Sequence, residues 1–343
     1  MMNIQAIQMV GTQRSGSNLL RLLLNQYPEI AAPHPPHILQ RFYPLLPLYG
    51  DLSDWENMFR LTDDICKLIE TNPVPWTGVR LDRQEIADAC RQNTLIEIFR
   101  VVYELAAIRQ HAGMWLCKSM ANVHFAEEMD SAGLCPKYIY LYRDGRDVVC
   151  SFRKAIVGEK HVYHIAKAWR KNQLMCLELE KKNHSDRFIR ISYENLIHSP
   201  EKEMKRMAAY LDLEYDPDIF SYYQSEESKN TSVAGKMWEN VAKPILAGNS
   251  KKFLKELSKE EIIIFEAVAG DVLGKLGYEA EYPAEAAALK FSERDLERFE
   301  AENQDLKQKC KLNIDPEGMR LRKAQDELLE NIQKSAMESI WIK

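Results

Sequence analysis

The chemistry in this sequence is concentrated where arginine, glycine and hydroxyl side chains follow predicted strands. The first such segment runs from Gly11 to Ser17, between the apolar stretch 4–10 and the leucine-rich stretch 19–24. A loop between a strand and a helix directs backbone N–H groups, and the positive end of the helix dipole, at an anion. Arg14 adds a full positive charge inside this loop. The segment therefore predicts a binding site for a phosphate-like group.

The same loop argues against a nucleoside triphosphatase. Gly11 and Gly16 have the spacing of a P-loop, but Ser17 and Asn18 stand where that motif has its lysine and its hydroxyl residue. The lysine that contacts nucleotide phosphates is missing, and so is the hydroxyl that would hold Mg²⁺. The loop therefore favours binding an anion without a metal. A P-loop kinase or other NTPase remains an alternative hypothesis, as does a non-catalytic nucleotide-binding protein.

A second segment, Arg143 to Ser151, follows the predicted strand 138–142 and opens a helix. Ligands of doubly wound folds lie at the carboxyl ends of the strands. An arginine at a strand end and a hydroxyl two helical turns later can bind one phosphate together, if the chain folds back between them. Arg143 and Ser151 are therefore candidate ligand-binding residues, whereas Asp144 and Arg146 are interpreted as loop and helix-capping residues.

Strands that alternate with helices must position both segments. Hydrophobic patterns predict strands at 4–10, 114–117, 138–142 and 188–191, and helices at 123–131, 148–155, 164–182, 201–211 and 257–276. This alternation predicts an α/β domain, residues 1–282, with a P-loop-like doubly wound, mostly parallel sheet flanked by helices. After it the composition shifts to Glu, Lys, Gln and Ala with apolar residues at helical spacing, which predicts a helical C-terminal extension, residues 283–343.

The extension allows three arrangements. Its helices could pack on the domain, pack on a second copy of the chain as a homodimer, or form a lid over an acceptor site. The segment Pro316-Glu317-Gly318 is predicted to separate two helices. The sequence alone leaves these alternatives open.

Composition excludes several classes of protein. The 343 residues carry a net charge of −5, which argues against broad electrostatic binding of nucleic acid. The seven cysteines have no CxxC spacing, so we expect reduced thiols and no zinc site. The first residues lack the regions of a signal peptide, and no apolar run is long enough for a membrane helix. We therefore expect a cytoplasmic protein with a small-molecule partner.

Together, the two segments resemble the sulfotransferase family. Residues 11–21 are similar to its loop for a 5′-phosphosulfate, and residues 140–151 are similar to its 3′-phosphate-binding segment. Residues 191–196 match a Tyr-Glu-Asn-Leu element whose tyrosine lies near the adenosine, and residues 274–278 resemble the usual end of the domain. An arginine in the loop is typical of the tyrosylprotein sulfotransferases and their bacterial relatives, whereas the cytosolic phenol and steroid enzymes carry a lysine there.

The resemblance implies an enzyme that uses 3′-phosphoadenosine 5′-phosphosulfate (PAPS) as donor, releases PAP and needs no metal. Carried over by position, it implies that the donor is bound by Arg14, Ser15, Gly16, Ser17, Asn18, Arg143, Ser151, Tyr193 and Lys243. Lys118, at the end of the strand 114–117, matches a family lysine that touches the transferring group. Lys118 and Arg14 would stabilise the negative charge that develops on the leaving oxygen.

An acceptor hydroxyl must lose a proton as it attacks, so a general base is required. The tyrosylprotein relatives use a glutamate after the first helix, and alignment of residues 27–30 with their helix end puts His34 at that position. Imidazole has a suitable pKa for this task. We predict His34 as the base, with His37 and His124 as alternatives. The departure from glutamate argues against a tyrosyl-peptide acceptor.

The acceptor pocket is predicted within residues 33–110, with the C-terminal tail as a further contributor. That region contains large apolar side chains: Phe42, Tyr43, Leu45, Leu46, Leu48, Tyr49, Trp55, Phe59 and Trp76. As pocket residues they would favour an apolar acceptor such as a small alcohol, a sterol, a phenol or a lipid. The alternative is that they form ordinary core.

Overall fold

A parallel five-stranded sheet forms the centre of the protein. The computed structural model describes residues 4–312 and 316–341. The strands are β1 (Gln5–Gly11), β2 (Ile30–Ala31), β3 (Met114–Cys117), β4 (Lys137–Tyr142) and β5 (Phe188–Ser192). Their order in the sheet is β2-β3-β1-β4-β5, and every neighbouring pair is parallel. The predicted α/β class is confirmed, and only the two-residue strand β2 was missed.

Burial on both faces explains the near-continuous apolar sequence of the strands. Ile7 and Val10 of β1 are fully buried, and they point to opposite faces because side chains alternate along a strand. In the register of the sheet, Ala6 pairs with Trp115 and Val10 pairs with Tyr140. Since all strands run in one direction, their carboxyl ends share one edge. The residues that follow β1, β3, β4 and β5 are therefore brought to the same side of the molecule.

Helices cover both faces of the sheet. The α-helices of the described residues are α1 (Ser17–Leu24), α2 (Ile38–Phe42), α3 (Trp55–Glu70), α4 (Arg83–Ala89), α5 (Leu95–Arg109), α6 (Ala126–Ser131), α7 (Gly145–Lys154), α8 (Val162–Lys182), α9 (Tyr193–His198), α10 (Pro200–Tyr210), α11 (Glu226–Val233), α12 (Phe253–Glu256), α13 (Lys259–Lys275), α14 (Pro283–Ala288), α15 (Glu293–Leu312) and α16 (Pro316–Trp341). Short 3₁₀ helices span Tyr43–Leu48, Met120–Phe125, Pro217–Gln224 and Lys236–Ala242. Helices α5, α8 and α13 contribute to the core on one face, and α1 and α10 to the core on the other.

Local signals placed most of these helices. The predicted helices 148–155, 164–182, 201–211 and 257–276 correspond to α7, α8, α10 and α13. Helix α7 starts earlier than predicted, because the Asp144 side chain accepts a hydrogen bond from the N–H of Arg146. Helix α13 starts at Lys259, because Ser258 and Glu261 form a capping box.

The two predicted helices are present as α15 and α16, but Pro316 begins α16 and does not lie between the two helices. Proline suits the first turn of a helix, where its missing N–H would have no partner. The residues just before it, 313–315, lie outside the described part of the chain.

The C-terminal helices pack on the domain of their own chain. Phe299 of α15 is 3% exposed and stacks on His161 at 4.6 Å between ring centroids. Asn303 Oδ1 accepts a hydrogen bond from the backbone N–H of His161 at 3.0 Å. Gln325 Nε2 of α16 donates to the carbonyl oxygen of Leu68 at 2.8 Å. The homodimer and the domain boundary after residue 282 stay predictions.

Two further observations concern the whole described chain. Within residues 4–312 and 316–341, no helix combines the length and the apolar composition needed to cross a membrane. The seven cysteines are free thiols, and four of them, Cys66, Cys117, Cys150 and Cys176, are buried. Burial raises the pKa of Cys66, Cys90 and Cys150 to about 12, so these three thiols stay protonated at neutral pH.

Candidate active site

The loop between β1 and α1 has a backbone suited to an anion. Arg14 and Gly16 both lie in the left-handed region, with φ of 72° and 88°. A Cβ at Gly16 would overlap the ring of Tyr193, so the position requires glycine for its conformation and for this contact. Helix α1 begins at Ser17, directly after the loop. Ser15 Oγ is buried and has no hydrogen-bond partner among the described residues, which leaves it available to a ligand.

The predicted meeting of the two arginine segments is confirmed. Arg14 Nε donates a hydrogen bond to Ser151 Oγ at 3.0 Å. Arg143 Nη1 donates to the carbonyl oxygen of Arg14 at 3.3 Å. Burial, followed by the charge of Arg143, lowers the pKa of Arg14 to about 10. Two guanidinium groups held this close repel each other, and an anionic ligand would relieve that repulsion.

Arg143 is held in place before any ligand binds. Its Nη2 donates to the carbonyl oxygen of Asn249 at 2.8 Å and pairs with Asp147 at 3.4 Å. The guanidinium also lies 4.4 Å from the ring centroid of Tyr193, whose hydroxyl accepts a hydrogen bond from Asn249 Nδ2 at 2.5 Å. Arg143 Nε is buried and has no partner in the described part of the chain. A preorganised arginine with one N–H to spare suits a phosphate oxygen.

The other family-like elements join this arrangement through Glu194. Its Oε1 accepts from the backbone N–H of Asp144 at 3.1 Å, and its Oε2 accepts from the hydroxyl of Tyr278 at 2.8 Å. The interpretation of Asp144 and Arg146 as structural residues is confirmed, since Arg146 is buried between Asp144 and Glu266. Three segments that are distant in the sequence therefore form one structural unit around the Arg143 loop.

Lys118 reaches the first loop from the end of β3. Its Nζ donates to Asn18 Oδ1 at 3.0 Å, and the side chain is 7% exposed. Burial, followed by the charges of Arg21 and Arg14, lowers the pKa of Lys118 to about 7. The fraction of charged lysine therefore changes near neutral pH, and an anion beside it would favour the ammonium form.

His34 lies in the segment after β2, between the sheet edge and α2. Its carbonyl oxygen accepts from Asn72 Nδ2 at 3.0 Å and from Trp76 Nε1 at 2.8 Å. The ring is 4% exposed, and its Nε2 has no partner that the described residues supply. Burial, followed by the charge of Lys118, lowers the pKa of His34 well below its usual value. The imidazole is therefore neutral at neutral pH and able to accept a proton.

His37 lines the same cleft from the start of α2. Its Nδ1 lies 3.1 Å from Ser119 Oγ, which can fix the tautomer of the ring. Burial, followed by Lys118 and Arg41, lowers the pKa of His37 to about 3. His124, the third candidate, lies outside the cleft lining; its Nε2 is 3.1 Å from Asn172 Oδ1.

These residues line one cleft with a volume of about 1010 Å³. Four residues of the first loop border the cleft: Arg14, Gly16, Ser17 and Asn18. The other predicted site residues in its wall are His34, His37, Lys118, Arg143, Ser151 and Tyr193. Ser15 of the same loop is fully buried and does not line the cleft. Most of the residues predicted for the site therefore lie in the wall of one cleft.

Lys243 is a correction to the predicted set. Its side chain is exposed and its Nζ donates to Asn240 Oδ1 at 3.3 Å, whereas the adjacent Pro244 and Ile245 line the cleft. The carbonyl oxygen of Lys243 accepts a hydrogen bond from the Tyr222 hydroxyl at 2.7 Å. The Lys243 side chain therefore does not line the cleft with the other predicted residues.

The large apolar side chains predicted for the acceptor pocket do not form it. None of its nine large side chains, all of them in the described part of the chain, lines the cleft. Phe42, Tyr49 and Trp76 are buried core residues, and Tyr43 and Trp55 are 42% and 46% exposed at the surface. Residues 33–110 contribute prolines and polar residues to the cleft wall instead, among them Pro35, Pro36, Pro73, Gln40 and Arg41.

One contributing segment was missed by sequence reasoning: the segment 235–249 supplies Trp238 and Asn249. The C-terminal tail was predicted as a contributor, and its helix α16 supplies Arg322 and Gln325, which had not been named. No local motif marks these residues; their position follows from the packing of distant segments. A metal site is not among the features of the cleft, since the described residues contain no group of three or more His, Cys, Asp or Glu side chains placed to hold an ion.

Comparisons with known proteins show which proteins this chain resembles. A curated relative, protein-tyrosine sulfotransferase A of Caenorhabditis elegans, is 23% identical over 280 residues, which is 78% of this chain and 66% of the relative. The chain thus spans just under two thirds of that relative's length.

Two solved structures share the fold. The sulfotransferase domain from the curacin biosynthetic pathway has a TM-score of 0.52 at 19% identity, over 80% of this chain and 98% of that domain. The sulfotransferase domain from the olefin synthase of Synechococcus PCC 7002 has a TM-score of 0.50 at 22% identity, over 77% of this chain and 94% of that domain. Residues 6–217 match the model of the Sulfotransferase family, which is more than half of the 343 residues. On this match, with both arginine loops inside it, the chain belongs to the sulfotransferase family.

Proposed function

We propose that the protein transfers a sulfuryl group from PAPS to the hydroxyl group of a small-molecule acceptor and releases PAP. The observation that carries the proposal is the contact of the two arginine segments, in which Arg14 donates to Ser151 and Arg143 donates to Arg14. A donor with anionic groups at two positions requires cations from two parts of the fold. Adjacent parallel strands supply them here.

The residues of the cleft fit such a donor. The loop with Arg14, Ser15 and Gly16 would hold the 5′-phosphosulfate, because it offers backbone N–H groups, a buried hydroxyl with no partner from the described chain and a guanidinium. Arg143 and Ser151 would hold the 3′-phosphate. The loop residues Ser17 and Asn18 belong to the same group, and Tyr193 would lie beside the adenosine. When bound, PAPS supplies an activated sulfuryl group whose bond to a phosphate oxygen breaks during transfer.

Lys118 and Arg14 would stabilise the charge that develops on the leaving phosphate oxygen. Lys118 is nearly buried and is bonded to Asn18, so it needs little reorganisation when that charge appears. Removal of one such preorganised donor typically lowers the rate by about 10² to 10³. Stabilisation by these side chains requires no metal ion.

His34 is the proposed general base. Its ring is neutral and lies in the cleft, and its Nε2 is buried without a partner from the described chain. His37 is the alternative, because Ser119 Oγ could accept the Nδ1 proton and leave Nε2 as the acceptor. In either case the histidine would take the proton of the acceptor hydroxyl as that oxygen attacks.

The location and the assembly of the protein are further expectations. We expect a cytoplasmic protein, since PAPS is made there, and no nucleic-acid partner. A homodimer through the C-terminal helices stays a prediction that sedimentation or light scattering would test.

Transfer of labelled sulfate from PAPS to a panel of hydroxyl compounds tests the function. We expect PAP to raise the melting temperature and ATP with Mg²⁺ to leave it unchanged, because ligands that bind the folded state stabilise it. Stabilisation by ATP with Mg²⁺ alone would favour an NTPase. Stabilisation by PAP with no transfer to any acceptor would favour a non-catalytic nucleotide-binding protein.

A further inference from the structure

The acceptor side of the cleft is walled partly by residues outside the family match. That match ends at residue 217, whereas Trp238, Arg322 and Gln325 all line the cleft. They face the segment that carries the two histidines, which also supplies Arg41. Helix α16 therefore contributes to the wall of the cleft from outside the family match.

Arg41 is fixed in the wall by that helix. Its Nη1 donates to Gln325 Oε1 at 2.9 Å. Gln325 is 2% exposed and is itself held, because its Nε2 donates to the carbonyl oxygen of Leu68 at 2.8 Å. A guanidinium group held by a buried amide keeps its other N–H groups available in a defined position.

Arg322 lies across the same wall from Arg41. Its Nη1 donates to the carbonyl oxygen of Gly318 at 2.8 Å, one turn earlier in α16. Its guanidinium lies 5.1 Å from the ring centroid of Trp238. The other neighbour of Trp238 is His34, whose ring centroid is 5.0 Å away in an edge-to-face contact. Arg322 is therefore connected through one aromatic ring to the proposed base.

The charges at this end of the cleft are mainly positive. Burial is the largest influence on the pKa of Arg41 and lowers it; the charge of Asp326 opposes this, and the charge of Arg322 adds to it. Arg322 also contributes to the lowered pKa of His34. Among the described residues, Asp326 lies near Arg41 and Glu239 lines the cleft, and both carboxylates are exposed. Two guanidinium groups that face one cleft form a site that an anion would stabilise.

We propose that the acceptor is a small alcohol or phenol that carries an anionic group, a carboxylate, a phosphate or a sulfate, bound by Arg41 and Arg322 while its hydroxyl faces His34. This inference rests on the proposed function and names its substrate class. It replaces the predicted apolar acceptor, because none of the nine large side chains predicted for that pocket lines the cleft.

Matched pairs of acceptors that differ only in charge test the proposal. The pairs are 4-hydroxyphenylacetate with its methyl ester, and 10-hydroxydecanoate with its methyl ester. In the presence of saturating PAP, calorimetry measures the binding of each compound, and with PAPS the transfer of labelled sulfate is measured. We expect the acid of at least one pair to bind, and to be sulfated, at least about 10-fold better than its ester, as loss of a charge-assisted pair predicts.

Substitutions identify the residues that hold the charge. We expect Arg322→Gln and Arg41→Gln each to lower kcat/KM for the preferred acid by about 10-fold or more, with little change for its ester. Arg322→Lys should restore part of the loss. The control is Lys323→Gln on the same helix, because Lys323 is exposed and pairs with Glu327 away from the cleft. PAP affinity should stay unchanged in all four variants, which also shows that they are folded.

The outcomes separate this inference from the proposed function. If PAP does not bind the parent protein, the proposed function fails. If esters are bound and sulfated as well as acids in every pair, or if no acid binds, the anionic acceptor is excluded even where transfer from PAPS occurs. Sulfation of an acidic tyrosine peptide without sulfation of either small acid would exclude the small-molecule class.

Discussion

Arg14 Nε donates a hydrogen bond to Ser151 Oγ at 3.0 Å across 137 residues of sequence. The contact exists because β1 and β4 are adjacent and parallel, so the loops that follow them share one edge of the sheet. The Arg14 side chain of the first loop therefore binds the Ser151 hydroxyl, which we propose as a ligand of the 3′-phosphate. We expect this hydrogen bond to be exchanged for bonds to the ligand when PAP binds.

Replacement of Arg143 by alanine should weaken PAP binding. The guanidinium is held by Asn249, Asp147 and the ring of Tyr193, and a hydrogen bond from a charged group contributes about 1.5–3 kcal/mol. We expect a loss of about 10-fold to 150-fold in PAP affinity by calorimetry. Arg153→Ala is the control, since Arg153 lies in α7, the helix that follows Arg143, and pairs with Glu261 of α13 outside the cleft. Equal PAP affinity in both variants would remove Arg143 from the binding site.

Replacement of His34 by alanine should lower turnover and spare PAP binding. A positioned general base contributes about 10² to 10⁴ to the rate, so kcat should fall within that range. His37→Ala provides the comparison between the two candidates. The variant with the larger loss in kcat, at unchanged PAP affinity, identifies the base. Full activity in His34→Ala with a large loss in His37→Ala would assign the role to His37.

The pH profile offers an independent test of the histidine base. Burial lowers the pKa of His34 below its ordinary value of 6.5 and lowers the pKa of His37 to about 3. A base with a lowered pKa stays neutral, and therefore active, to a lower pH. We expect the acidic limb of kcat/KM, which reports the free enzyme, to lie below about pH 6.5. A limb above this value would show that neither buried histidine controls it.

Replacement of Lys118 by methionine should raise the stability of the protein and lower its activity. The folded state lowers the pKa of Lys118 from 10.5 to about 7, so between these values the unfolded chain binds a proton that the folded chain lacks. The contribution of Lys118 to the free energy of unfolding therefore rises as the pH increases from about 7 to 10.5. At neutral pH, Lys118→Met removes the cost of a buried cation, and its melting temperature should rise by roughly 2–4 °C.

The activity of Lys118→Met should fall, although its melting temperature is expected to rise. We expect kcat to fall by about 10² to 10³, since a preorganised donor is lost. The matched control is Lys171→Met, which removes an exposed lysine of α8 outside the cleft. A melting temperature that falls, or an unchanged kcat, would contradict the proposed role of a buried cation beside the transferring group.

Replacement of Gly16 by alanine should reduce both stability and PAP affinity. Two costs add at this position: a φ of 88°, which disfavours any Cβ by about 1–2 kcal/mol, and overlap of that Cβ with Tyr193. Gly133→Ala separates them, because Gly133 has a φ of 74° and no other described atom lies within 4 Å of its added Cβ. Equal losses of stability in the two variants would show that the contact with Tyr193 contributes nothing.

The sequence was sufficient for the parts of the site that depend on local structure. A strand, a loop with glycine at a left-handed position and a helix follow from hydrophobic pattern and backbone preference within about a dozen residues. Parallel strands then bring their carboxyl ends to one edge whatever their order. The grouping of Arg14, Lys118, Arg143 and Tyr193 could therefore be predicted without coordinates.

The tertiary structure alone decided which distant segments complete the cleft and which apolar residues fill the core. Phe42 and Trp76 are residue types expected in a hydrophobic pocket, but whether an apolar side chain faces a cleft or the core depends on the orientation of the segment that carries it. Lys243 is exposed outside the cleft, although the next two residues line it. Arg322 and Gln325 reach the acceptor side because α16 packs back on α3, a long-range arrangement that local spacing does not encode.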